Sequence, residues 1–190
     1  TQVSSLCTLG LNCSFSVPAF GVSEAWIQVS DVCGGAAVNW SPEAFEGSLV
    51  DLGAVVVSAV GQHSLCWSAS RSLEAGFLVS AGMLTMSGPF GVHSNCTLGL
   101  RCEIVLGGIG LEPTNRIVVV DGNCSGAGSV VPRVDDLMLL PTASNGSEQV
   151  YNLGTPLTDP TGLFSLCWGH APGDDLSDCS VFCGVLHMAG

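Results

Sequence analysis

The sequence contains itself twice. Cys7-Thr8-Leu9-Gly10-Leu11-Asn12-Cys13 returns 89 positions later as Cys96-Thr97-Leu98-Gly99-Leu100-Arg101-Cys102. Ser64-Leu65-Cys66-Trp67 returns as Ser165-Leu166-Cys167-Trp168, and Gly82-Met83-Leu84-Thr85-Met86-Ser87-Gly88 as Gly184-Val185-Leu186-His187-Met188-Ala189-Gly190. Between these blocks Cys33 matches Cys124. Four blocks in one order mean two copies of one folding unit. The 190 residues then divide into domains of ordinary size, 1–88 and 89–190.

The spacing of the blocks places the insertions. The offset is 89 at the first cysteines, 91 at Cys33/Cys124, 101 at Cys66/Cys167 and 102 at Gly82/Gly184. The second copy has therefore gained about ten residues between Cys124 and Cys167. Pro141–Val150, rich in small polar residues, is where a loop would take them. The boundary falls at Gly88-Pro89-Phe90-Gly91, a short Pro-containing linker that predicts two units close together with little relative motion.

Each copy reads as β. Ala25–Asp31 and its match Arg116–Asp121, with Ser48–Leu52, His63–Ser68 and Gly82–Ser87, are short strand candidates separated by Gly, Pro, Asn and Ser. No window has a helical period; Ala54–Val60 reads as a short helix or, from its valines, a buried strand. Cys followed by Trp on a late strand is similar to the disulfide-plus-Trp core of immunoglobulin-like domains. The expected fold class is all-β: two tandem immunoglobulin-like β-sandwich repeats, each stapled by disulfides.

Ten cysteines, eight of them at matched positions, predict a disulfide framework. Zinc fits poorly, because the spacing is Cys-x5-Cys and the four His are scattered. Cys179 and Cys183 align with Phe77 and Ala81, so the first copy lacks both together. The simplest expectation is that they pair with each other across a turn or bulge, all ten cysteines being oxidised. The other four in each copy allow three connectivities. Gly10 and Gly99 as turn residues favour Cys7–Cys13 with Cys33–Cys66, and Cys96–Cys102 with Cys124–Cys167.

Five of the seven Asn residues head an Asn-x-Ser/Thr sequon: Asn12, Asn39, Asn95, Asn123 and Asn145. Chance would give about one. Asn145 lies in the inserted stretch; Asn39 is the poorest, with Trp40 at x and Pro42 after the acceptor Ser41. Sequons and cysteines together predict a secreted, extracellular glycoprotein. Thr1 opens on no signal-peptide pattern, as expected of a chain whose signal is removed or that is an excerpt of a longer one.

Charge narrows the partners. The net charge is -12, and the only fixed cations are Arg71, Arg101, Arg116 and Arg133. Such a chain repels phosphate backbones and anionic membrane surfaces. The composition is 47% hydrophobic and 11% charged, with a mean hydropathy of +0.51, so apolar surface is expected to be covered by partner subunits or sugar. Gly76–Val92 is too interrupted for a membrane span, and Leu52–Val60 too short.

No catalytic constellation is present. Gly107-Gly108-Ile109-Gly110 lacks dinucleotide spacing and reads as a turn. His63, His93, His170 and His187 have no partners at triad or metal spacing. Asp174, Asp175 and Asp178 read as a solvated acidic loop rather than a calcium site, and Asp135-Asp136 would point to opposite sides of an extended chain. No cofactor is expected beyond covalent N-glycans.

The order Cys-Thr-Leu-Gly-x-x-Cys, Ser-Leu-Cys-Trp, Gly-x-Leu-x-Met-x-Gly resembles the cysteine-rich repeats of secreted surface proteins of unicellular algae and alveolates, as in glycoprotein filaments or flagellar hairs. Ser68 and Gly169 stand where such repeats would carry a further Cys after Trp67 and Trp168. The resemblance implies a β-sandwich module in an extracellular assembly and no catalytic residues. The expected function is a structural protomer of a filament or surface coat, associating with itself head to tail and through glycan-mediated contacts. The alternative is a cell-surface adhesion or carbohydrate-binding module. Gly82–Ser87 and Gly184–Met188, without charge, are expected to offer the sheet edges for assembly, with Thr1–Leu6 or Leu186–Gly190 ordered only by a neighbouring subunit.

Overall fold

The computed structural model describes residues 3–17, 26–39, 45–46, 49–57, 59–70, 76–124, 129–130, 138–158 and 160–190. The chain divides into two compact units, Thr1–Ser87 and Gly88–Gly190.

The first unit contains β1 (Val3–Thr8), β2 (Asn12–Ser16), β3 (Trp26–Ser30), β4 (Phe45–Glu46), β5 (Leu49–Ala54), β6 (Gly61–Ser68) and β7 (Val79–Pro89), whose last two residues, Gly88 and Pro89, belong to the second unit. One sheet runs β4-β3-β6-β7, with β1 added parallel to β7; β2 and β5 form the second. The second unit contains β8 (Val92–Thr97), β9 (Cys102–Ile109), β10 (Arg116–Asp121), β11 (Ser129–Val130), β12 (Ala143–Ser144), β13 (Glu148–Gly154), β14 (Gly162–Gly169) and β15 (Val181–Ala189). Its sheets are β11-β10-β14-β15-β8, the last pair again parallel, and β12-β13-β9. Both units are immunoglobulin-like β-sandwiches: two small sheets, antiparallel except where the first strand lies parallel to the last.

Period-2 patterning builds the cores. On β14, Phe164, Leu166 and Trp168 are buried, with Val119 and Ile117 opposite the last two on β10. From the other sheet come Ile104 and Leu106 of β9 and Tyr151 of β13. The first unit buries Ile27, Val29, Leu65, Leu84 and Met86 on one sheet and Val50 on the other. Each such side chain contributes about 1.5–3 kcal/mol on burial.

The segments expected to be assembly edges lie elsewhere. Gly82–Ser87 sits inside its sheet between β6 and β1, and Gly184–Met188 between β14 and β8. Val3–Thr8 is likewise ordered by its own unit, through its parallel ladder with β7. The reason is a glycine. A bulge precedes Gly82 and Gly184, whose φ values are +159° and +149°. A Cβ at either would meet the Val3 or Val92 carbonyl oxygen at 2.1 Å, so only glycine lets β1 and β8 approach. The edges fall on β1 and β8 instead.

Three other segments differ from expectation. Gly107-Gly108-Ile109 belongs to strand β9 rather than to a turn, because Gly108 without a Cβ admits the Gly88 backbone, which pairs with Ile109. Val55 and the described residues up to Val60 form neither helix nor strand; Val56 and Val57 face solvent. The inserted Pro141–Val150 is a hairpin of β12 and β13, turned at Asn145-Gly146 with Gly146 at φ +84°. Among the described residues the one helix is a 3-10 turn, Leu176–Asp178.

Candidate functional site

Four disulfides close the framework: Cys7–Cys13, Cys33–Cys66, Cys96–Cys102 and Cys124–Cys167. Their placement is not that of the immunoglobulin bridge, which spans the two sheets beside a buried Trp. Cys33 and Cys124 sit just past β3 and β10 and bond to β6 and β14, the neighbouring strands of the same sheet. The Cys124–Cys167 bridge lies with Val118, Val120, Cys179, Met138 and Leu176, while Trp168, one residue on, points to the opposite face. The sheets are joined instead by the small-loop bridges, Cys7–Cys13 from β1 to β2 and Cys96–Cys102 from β8 to β9.

Cys179 and Cys183 correct the expected pairing: both are free, buried thiols. Cys179 caps the 3-10 turn and packs on the Cys124–Cys167 bridge. Cys183 occupies the bulge before Gly184, where its Sγ donates to the Leu166 carbonyl at 3.3 Å. Their side chains are thus committed to different neighbours. Burial pushes the Cys179 thiol up to about 12, with Asp178 adding repulsion. Burial raises Cys183 further, and Cys179 adds to it. Thiols held protonated in this way are poor nucleophiles and poor metal ligands.

All five sequon asparagines are exposed. Asn145 shows how a turn presents one. Its Oδ1 accepts from the Ser147 amide (3.1 Å), the Ser147 hydroxyl (3.1 Å) and the Glu148 amide (2.8 Å). Those bonds leave Nδ2, the atom that carries a glycan, out of the turn. Asn12 begins β2 and Asn95 lies on the edge strand β8.

The histidines take three environments. His63 is 4% exposed, with Nδ1 3.0 Å from the Asp31 carboxylate and Nε2 2.9 Å from the Ala59 carbonyl. Both ring nitrogens face acceptors, so His63 has no nitrogen left for general-base work. It closes one side of a groove of about 400 Å3 that Asp31, Ala36, Val38 and Asn39 also line. His170 lies beside Trp168, ring centroids 6.1 Å apart and planes tilted by 49°, and faces Glu112 at 3.9 Å. His93 and His187 come together in a second groove of about 400 Å3 with Ser94, Asn95, Leu163 and Val185. Sequence spacing gave no hint of that meeting, because it arises from the parallel register of β8 on β15.

Two aspartates of the acidic loop serve the backbone, while Asp174 faces Arg116 at 3.8 Å. Asp175 accepts from the Ser177 amide at 2.9 Å, which holds its carboxyl below the usual carboxylate range, and Asp178 accepts from the Gly173 amide at 3.0 Å. No group of three or more metal-ligating side chains occurs among the described residues. Asp135-Asp136 lies outside them. No described helix is long and apolar enough to cross a membrane.

These features define a tandem, disulfide-stapled β-sandwich protein. No family model and no curated protein sequence matches the chain. Among solved structures it is similar to Dpr2 Ig1-Ig2 in complex with DIP-Theta Ig1-Ig3, at 13% identity and a TM-score of 0.32 over 100% of this chain and 62% of that one. It is also similar to the I9-I11 tandem from titin, at 10% identity and a TM-score of 0.33 over 99% and 64%. The chain therefore spans less than two thirds of either.

Proposed function

We propose that this protein is an extracellular, N-glycosylated structural protomer that associates with copies of itself in a filament or surface coat. The observation that carries the reading is the edge strand β1. Among the described residues it pairs with β7 alone, and neither strand holds a charged side chain. Leu6, in the middle of β1, is 70% exposed. Proteins that stay monomeric guard such an edge with charge, above all Lys, and this chain has none. A strand added there by a second copy is a heterologous contact that repeats without closing. Five exposed sequons and four disulfides support the secreted setting. The likeness of the Cys and Trp blocks to algal and alveolate surface repeats points the same way.

The alternative, a carbohydrate- or ligand-binding module, has the His63 groove in its favour. Sedimentation velocity separates the two. The wild-type chain is expected to form concentration-dependent oligomers, and Leu6→Lys, which places a charge on the open edge, to remain monomeric. A wild-type chain that stays monomeric at high concentration, or a Leu6→Lys variant that assembles as before, refutes the edge mechanism.

A further inference from the structure

We propose that the groove on the outer face of β14, β15 and β8 is the seat of the glycan carried by Asn95. Its first N-acetylhexosamine lies over His187 and His93 and reaches the aliphatic pair Leu163 and Val185 beyond them. The proposal rests on the secreted, glycosylated reading above.

The registers build the seat in two rows. Leu163, His187 and Asn95 lie side by side across the three strands, and Ser165, Val185 and His93 form the row beside them. Asn95 is thus part of the lining, and a sugar on its Nδ2 begins its course inside the groove. Tethering makes the contact intramolecular, so even weak packing is populated. The six lining residues include no carboxylate and no Arg. A neutral floor with His187 and His93 next to Asn95, and the aliphatic pair Leu163 and Val185 beyond them, matches a pyranose, which has a rim of hydroxyls and an apolar C–H face. The volume of about 400 Å3 is at the small end of ligand sites. Leu163, 70% exposed, is the apolar surface that such a sugar would cover.

The first unit supplies the contrast. Its equivalent rows are Gln62–Thr85–Leu6 and Ser64–Met83–Ser4. Where the sequon asparagine is absent, both histidines and the exposed leucine opposite are absent as well. Four of the other five positions in these rows thus differ between the two copies, the fourth being Val185 against Met83. A glycan so seated also shields the edge strand β8, leaving β1 as the open edge.

The test uses the full chain secreted from a eukaryotic host, its glycans trimmed to single sugars, beside Thr97→Ala, which removes the sequon and keeps Asn95. Glycopeptide mapping reads occupancy, and diethylpyrocarbonate labelling reads the histidines, with His170 as internal reference. With the seat filled two thirds of the time, His187 should label about threefold more slowly in the glycosylated chain than in Thr97→Ala, His170 being unchanged. Leu163→Ser in the glycosylated chain should restore most of the rate. Equal His187 labelling with Asn95 occupied overturns the seat and leaves the secreted reading standing. Asn95 empty while other sequons are filled overturns the seat, and every sequon empty overturns both.

Discussion

Removing the two bridges of the second unit one at a time should cost unequal amounts, in an order set by loop length. Cys124–Cys167 closes a sequence separation of 43 and Cys96–Cys102 one of 6. Loop-closure entropy gives about 4 kcal/mol for the first and about 2 kcal/mol for the second. Burial adds to both costs, since Cys167 and Cys102 are each 1% exposed, so loop length sets the order. The assay is hydrogen exchange by mass spectrometry on Val118–Val120, amides of a strand bonded on both sides, in Cys124→Ala/Cys167→Ala and Cys96→Ala/Cys102→Ala. At about tenfold per 1.4 kcal/mol, exchange through global opening should quicken about a thousandfold in the first and about thirtyfold in the second. Equal acceleration, or more in the small-loop variant, would refute the reasoning. It would mean that tying β8 to β9 matters more than constraining the unfolded chain.

Gly82→Ala and Gly184→Ala should each cost at least about 2 kcal/mol in a thermal melt, because the new Cβ overlaps a carbonyl of the parallel strand. Alkylation should find two free thiols per chain, Cys179 and Cys183, labelled only on unfolding; a count of zero would show a fifth bridge. The same thiols predict alkaline sensitivity. Their folded pKa values lie above the ordinary 9.0, so they stabilise fully below pH 9, and stability falls as the pH rises from 9 through the Cys179 value of about 12. The slope should be about 1.4 kcal/mol per pH unit per thiol, and a Cys179→Ala/Cys183→Ala variant should lose that steepness in urea titrations at pH 9–11. Deglycosylation in heavy-oxygen water should mark at least three of Asn12, Asn95, Asn123 and Asn145 as occupied.

The repeat made most of the architecture legible. Arg116–Asp121 is β10 as read from its β-branched run, and the candidates around Trp26, His63 and Gly82 fall on β3, β6 and β7. What stayed hidden depends on contacts distant in sequence. Gly107-Gly108 looks like a turn until the Gly88 backbone is seen against it. The edge strands could not be told from inner ones, because β1 and β7 are equally free of charge and only the parallel ladder decides which lies outside. Cys179 and Cys183, absent together from the first copy, suggested a bond; the bulge and the 3-10 turn give each thiol a separate neighbour. The groove at Asn95 was out of reach because Leu163, His187 and Asn95 share no local pattern.

Negative-stain imaging of the native, glycosylated material bears most directly on whether this chain is a structural protomer. Linear polymers with a regular axial repeat, lost in Leu6→Lys, are the predicted result. Dispersed monomers at concentrations where secreted structural proteins assemble would contradict it, and would leave the ligand-binding module as the reading to pursue.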